Sequence, residues 1–174
     1  RSCMQSEKVE YPHPSDIGHF VNAFKLSKED KLRLLQYTWI PDKDYQFPSI
    51  ADSTGQKRKF QPSYLEEFPW LSYSALPGSE GAFCRYCVIM ETNKSERGNQ
   101  ELGVFVKRPF RHYKQAKERF SGIFVKRPFR HYKEAKGRFR AHQETLYHAF
   151  SMAVVKNFLA QEEKLHQKRP NLFL

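Results

Sequence analysis

Cys84 and Cys87, two residues apart in sequence motif C-x-x-C, and the distant pair His142 and His148 constrain this chain more than any other feature. Two thiolates and two imidazoles form a donor set of closed tetrahedral zinc sites. An ion held there would pin the middle of the chain to its end. The pattern leaves alternatives open. A lone C-x-x-C also serves as a redox pair, although Arg85-Tyr86 leads into neither a thioredoxin-like helix nor a βαβ pattern. Five residues separate the histidines, the upper end of finger spacing. On one continuous helix a step of six turns through about 240°, which would point them apart. Chelation therefore predicts a break, and Thr145 supplies an N-cap for a new helix. His142 would then close one helix and His148 lie in the first turn of the next. By spacing alone, two ordinary histidines beside two buried cysteines is an equal reading. His13, His19, His112, His131 and His166 read as surface or packing residues, with His131 the substitute ligand.

The second feature is a tandem duplication. Gly103–Phe120 reads GVFVKRPFRHYKQAKERF and Gly122–Phe139 reads GIFVKRPFRHYKEAKGRF. The copies differ only at Val104/Ile123, Gln115/Glu134 and Glu118/Gly137. Residues 103–140 hold 13 Lys/Arg against 2 Asp/Glu, and the rest of the chain holds 17 of each sign, so this block carries the entire net charge of +11. Such a block meets polyanions, nucleic acid first, unless it is a solvated helix face. The cations Lys126, Arg127, Arg130, Lys133, Arg138 and Arg140 are candidate phosphate contacts from the second copy. Lys107, Arg108, Arg111 and Lys114 are their counterparts in the first, with Lys117 and Arg119 beyond them. Phe110, Tyr113, Phe129 and Tyr132 suit base stacking, but their helical spacing favours core packing.

Around these features the chain reads as α+β, a small zinc-stabilised β-hairpin plus helices, with a helical and irregular N-terminal flank. Residues 1–57 form that mostly irregular flank, 58–160 the metal-binding domain with repeats at 103–121 and 122–140, and 161–174 a tail. Ser27-Lys28-Glu29-Asp30 is a capping signal for a short helix, KLRLLQ. The stretch from Pro41 to Gly55 reads as loop. Pro62 opens a helix of one or two turns that Pro69 ends. Trp70–Ser74 and Ala82–Met90 read as strands joined by a loop containing Pro77-Gly78, which places both cysteines on the returning strand. Each repeat has an extended half, FVKR, and a proline, Pro109 or Pro128, suited to open a helix. The last helix repeats Leu146, Phe150, Val154 and Phe158 every fourth residue. With 39% hydrophobic residues and a mean hydropathy of -0.77, a large core is not indicated, and small cores are often stapled by a metal.

Three segments together, RKFQPSYLEEFPWLSYS (58–74), GAFCRYCVIM (81–90) and GIFVKRPFRHYKEAKGRFRAHQETLYH (122–148), resemble the TTF-type zinc finger of hAT-family transposases and zinc finger MYM-type-like proteins. HPSDIG (13–18) resembles a segment that often precedes this module. The resemblance covers roughly residues 13–160. It aligns Cys84, Cys87, His142 and His148 with the family's metal ligands, and it implies Zn2+, DNA binding and a nuclear location. Two departures stand out. Tyr132 occupies a position usually held by tryptophan, and the family pattern has one repeat unit. Since the second copy runs directly into His142, it is expected to take the native place, with the first copy an inserted duplicate.

Such proteins usually carry their catalytic region after the finger, and this chain, which opens on Arg1 and stops at Leu174, reads as a fragment ending before it. No catalytic triad or phosphate loop is seen, and Glu66-Glu67 and Glu162-Glu163 read as solvated charge, so the expectation is that it is not an enzyme and takes no small-molecule substrate. The rival is a zinc-stabilised module for a protein partner or self-association. No run approaches the roughly 20 apolar residues of a membrane span, and no signal peptide is seen. Three cysteines do not make a disulfide framework, which points to a reducing compartment with Cys3 as a spare thiol. Lys57-Arg58-Lys59 is a weak basic cluster consistent with nuclear import.

Overall fold

A computed structural model describes residues 13–23, 25–51, 55–90, 102–111, 113 and 135–167. These form a mixed α+β fold with two small antiparallel hairpins and five helices. The expectations for Cys3, Pro128, Phe129 and Tyr132, and for the side chains of His112, His131 and His166, lie outside the described residues.

Local chemistry accounts for the first elements. Asp16 caps a 3-10 turn, Ile17–Phe20, by accepting from the Gly18 amide at 2.8 Å. Its second carboxylate oxygen accepts from the Ala75 amide at 2.7 Å, tying this turn to the main hairpin. Gly18 sits so close to that hairpin that a Cβ would meet Ser74 Oγ at 2.3 Å. The side chain of Ser27 accepts from the Asp30 amide at 3.0 Å and starts α1, Lys28–Tyr37, whose Leu34 and Leu35 are buried. His13 stacks on Trp39, a packing role. In the stretch read as loop, Ile50–Ala51 (β1) pairs with Lys57–Arg58 (β2).

Helix α2, Ser63–Glu67, leads into the central hairpin of β3, Leu71–Ser74, and β4, Gly81–Cys84. Leu71 pairs with Cys84, and Ser74 with Gly81. The returning strand is shorter than its sequence indicates. It ends at Cys84, and Arg85–Met90 is helical, α3. Residues on a strand alternate faces, so Cys84 and Cys87 would point apart if both lay on β4. One helical turn brings the Cys87 amide to within 3.5 Å of Cys84 Sγ. The Arg85 amide donates to the Trp70 carbonyl at 3.0 Å, and the chain turns there into the helix.

The first repeat does not follow the expectation of a helix opening at Pro109. Its leading half is a turn that returns along the free edge of β4. Phe110 and Ala82 exchange backbone hydrogen bonds of 2.8 and 3.0 Å, and the Cys84 amide donates to the Phe105 carbonyl at 2.7 Å. With its backbone groups committed to β4, the segment after Pro109 is extended. Gly81, at φ +141°, makes this approach feasible, because a Cβ there would meet Pro109 Cβ at 2.7 Å and the Phe110 carbonyl at 2.9 Å. Phe105, Val106, Phe110 and Tyr113 are all buried.

Helix α4, Ala135–Gln143, comes from the trailing half of the second copy, and α5 spans Leu146–Gln167. Thus the described parts of the repeats are the leading half of the first copy and the trailing end of the second, and both contribute to one aromatic core. Residues 17–39 join the same core through Ile17, Leu34, Leu35 and Trp39. On α5 the buried face is Tyr147, His148, Ser151 and Val155, not the periodic stripe of Leu146 and Phe150. Leu146 is 73% exposed. No helix among the described residues is long and apolar enough to cross a membrane.

Candidate metal centre

Each of four elements delivers one donor to a common point. Cys84 ends β4, Cys87 lies in the first turn of α3, His142 in the last turn of α4, and His148 in the first turn of α5. The break between the histidines is built by Thr145. Its hydroxyl donates to the His142 carbonyl at 2.7 Å and accepts from the His148 amide at 3.3 Å, capping α5 and turning its start back toward α4.

The donor atoms all lie within 4.8 Å of one another, and all four residues are buried. Cys84 Sγ is 3.4 Å from His148 Nδ1, and Cys87 Sγ is 3.6 Å from the same nitrogen. Cys87 Sγ is 3.7 Å from His142 Nε2, and the two imidazole nitrogens are 3.1 Å apart. This buried cluster of two sulfurs and two nitrogens fits a metal ion. Its electrostatics favour a cation as well. Burial pushes the Cys84 thiol well above its ordinary value, while the neighbouring Cys84 group holds Cys87 well below its own. Burial also lowers His142 from 6.5, which keeps its ring neutral and able to donate a lone pair.

Three flanking aromatics position these ligands, and none of them carries a sequence motif that marks it as a site residue. Trp70 lies against both imidazoles, with ring centroids 5.0 Å from His142 and 5.2 Å from His148. Phe105 covers His142 at 4.9 Å from a left-handed backbone conformation, φ 75°. Tyr147 Oη lies 3.2 Å from His142 Nδ1, the nitrogen that faces away from the cluster. The tyrosine can accept from that N–H and so fix the tautomer that leaves Nε2 free for a metal. The only sequence signal for Tyr147 is its place between a candidate cap and a candidate ligand. Replacing Tyr147 by phenylalanine is expected to weaken metal affinity by about 10–100-fold, measured by competition with a chromophoric chelator. An unchanged affinity would mean that packing alone orients His142.

Among the described candidate phosphate contacts, Arg111 and Arg140 are engaged within the fold. Arg111 clamps the hairpin loop, donating from Nε to the Glu80 carbonyl at 2.6 Å and pairing with the Glu80 carboxylate at 3.2 Å. Arg140 pairs with Glu67 at 3.3 Å, and Lys136 bonds to the same carboxylate. Lys136 chiefly, then Arg140, hold the Glu67 carboxyl below its ordinary value. Glu67 is thus an anchor between α2 and α4 and not simple solvated charge, and Glu162 likewise pairs with Lys28 at 2.7 Å. Arg108 and Arg138 are exposed, and Lys107 is half-buried. Lys114, Lys126, Arg127, Arg130 and Lys133 lie outside the described residues.

Comparison of the chain with family models, with curated proteins and with solved structures finds no match.

Proposed function

We propose that Cys84, Cys87, His142 and His148 bind a structural zinc ion, and that the scaffold it closes is a DNA-binding module of the TTF type, working in the nucleus. The convergence of the four buried donors carries this reading. Zn–S bonds of about 2.3 Å and Zn–N bonds of about 2.0–2.1 Å at tetrahedral angles require S–N edges of about 3.6 Å and an N–N edge of about 3.3 Å. Three of the four S–N spacings, 3.4, 3.6 and 3.7 Å, and the N–N spacing of 3.1 Å match those edges, and all donor pairs lie within 4.8 Å. Four protein donors fill a tetrahedron and leave no position for substrate, which favours a structural over a catalytic ion. Catalysis, on this reading, belongs to no residue of this chain. The family resemblance, carried by segments 58–74, 81–90 and 122–148, aligns the same four positions with its metal ligands.

DNA is the proposed partner because the net charge of +11 is concentrated in 103–140. Arg108 and Arg138 bring part of that charge to the surface. Phosphate contacts there would provide affinity, with any base reading left to one or two arginines. Mass spectrometry of the purified protein should find one zinc per chain. Replacing Arg127, Arg130 and Lys133 by alanine should weaken DNA binding. It should also flatten the dependence of log K on log salt by about 0.9 for each phosphate that is no longer neutralised. An unaltered slope would remove these side chains from the interface. The second reading, a module for a protein partner or for self-association, draws on the exposed apolar side chains Leu146, Phe150 and Met152 of α5. DNA affinity that ignores sequence and vanishes at moderate salt would favour it.

A further inference from the structure

The edge of β4 accepts a segment that this chain contains twice. The side chains that fill it from the first copy are Phe105, Val106, Phe110 and Tyr113, each no more than 5% exposed. The second copy offers Phe124, Val125, Phe129 and Tyr132 at the same spacing. Pro128 stands for Pro109, Gly122 for Gly103, and Arg130 for the Arg111 that clamps Glu80. Across 103–114 and 122–133 the copies differ only at Val104/Ile123. Val104 is 40% exposed, so the extra methylene of isoleucine would meet solvent and not a packed wall. Nothing that holds the leading half in place distinguishes one copy from the other.

The connections permit both arrangements. With the first copy on the edge, residues 91–102 precede it and 114–134 link it to α4, connections of 12 and 21 residues. With the second copy there, the connections become residues 91–121 and 133–134, or 31 and 2 residues. Closure entropy grows only slowly with the length of a flexible loop, so lengthening the first connection from 12 to 31 residues changes little. The short link spans at most about 11 Å from the position of Tyr113 to Ala135, and both residues belong to one core cluster. Phe110 already touches Phe139 of α4, with ring centroids 5.4 Å apart. Tyr113 reaches the same cluster through Phe60 and Tyr64.

We infer that the β4 edge is degenerate, that the leading half of either copy fills it, and that the chain exchanges between the two registers. Whichever copy is off the edge is a spare basic segment. It enters the chain before the edge segment in one register and after it in the other. The duplication therefore alters where the spare cations are tethered without altering the core or the cluster of Cys84, Cys87, His142 and His148. Exchange of this kind does not depend on the identity of a metal or of a partner.

Amide hydrogen exchange on the full chain tests it, since Val104 and Ile123 give peptides from the two copies different masses. The reporters are the Ala82 and Cys84 amides, which donate to the carbonyls of Phe110 and Phe105. Three variants are compared: Phe105→Ala with Phe110→Ala, Phe124→Ala with Phe129→Ala, and all four changes together. Either pair alone should leave both reporters protected, with protection moving to the intact copy. The fourfold variant should exchange at both reporters at least about tenfold faster, as local opening of an unfilled edge requires. Degeneracy of the edge is overturned if either pair variant loses protection as fully as the fourfold one, since a single copy would then be the only occupant. Protection retained in the fourfold variant overturns it too, because the edge would not need this segment.

Discussion

Removing the metal with a strong chelator is expected to unfold the proposed zinc module and not merely loosen it. The four ligands sit on β4, α3, α4 and α5, so the ion joins elements separated by up to 64 residues. Structural zinc sites in finger peptides contribute about 10–16 kcal/mol, whereas a whole domain is stable by only about 5–15 kcal/mol. The metal term can therefore exceed everything else that keeps this chain folded. Chelation should abolish the near-ultraviolet circular dichroism contributed by Trp70, which packs on both imidazoles. Adding zinc back should restore it, and Cys84→Ser should reproduce the loss without chelator. A cooperative melting transition in metal-free protein at an unchanged temperature would defeat the zinc reading.

Protons should compete with the ion. Burial raises the Cys84 thiol, so metal binding near neutral pH must release its proton. Affinity should then weaken about tenfold for each unit that the pH is lowered. The histidine adds to this in the same direction. Because burial lowers His142 in the folded chain from 6.5, the unfolded chain takes up the proton first. That contribution to stability is present above about 6.5 and is lost as the pH falls toward the lower folded value.

The sequence announced the elements whose signals are local. Ser27 caps α1 through its own hydroxyl, and Pro77-Gly78 lies in the loop of the β3–β4 hairpin. The break at Thr145 was legible for a geometric reason: a six-residue step on one helix cannot aim two imidazoles at one point. Other features were set by tertiary contact and left no local trace. Cys87 belongs to a helix because both sulfurs must face the same side, although RYCVIM is also a good strand sequence. Pro109 opens no helix because Phe110 hydrogen-bonds to Ala82, a residue 28 positions earlier. The stripe of Leu146 and Phe150 has correct helical spacing, yet His148 must point inward and rotates the buried face by one to two residues. Copy identity was the least legible of all, since no local feature distinguishes two near-identical segments competing for one edge.

Phe139→Ala is expected to cost about 3–5 kcal/mol, the range for truncating a buried phenylalanine. The ring is fully buried and meets Tyr64 at 5.3 Å, Phe68 at 5.1 Å, Phe105 at 5.7 Å and Phe110 at 5.4 Å. It also touches Trp70 at 6.2 Å, so its loss loosens the wall behind His142 and His148. Phe139→Leu keeps most of the volume and should cost less than about 1.5 kcal/mol. Urea unfolding with zinc in constant excess measures both, because a fixed metal concentration keeps the binding contribution the same across variants. The ring also joins the trailing half of the second copy to the leading half of the first. In a background carrying Phe124→Ala and Phe129→Ala, where only the first copy can fill the edge, alanine at 139 combined with alanine at 105 should therefore depart from additivity by about 0.5–3 kcal/mol. Strict additivity, or a single-variant cost within about 0.5 kcal/mol, would mean that the two half-copies do not share a core.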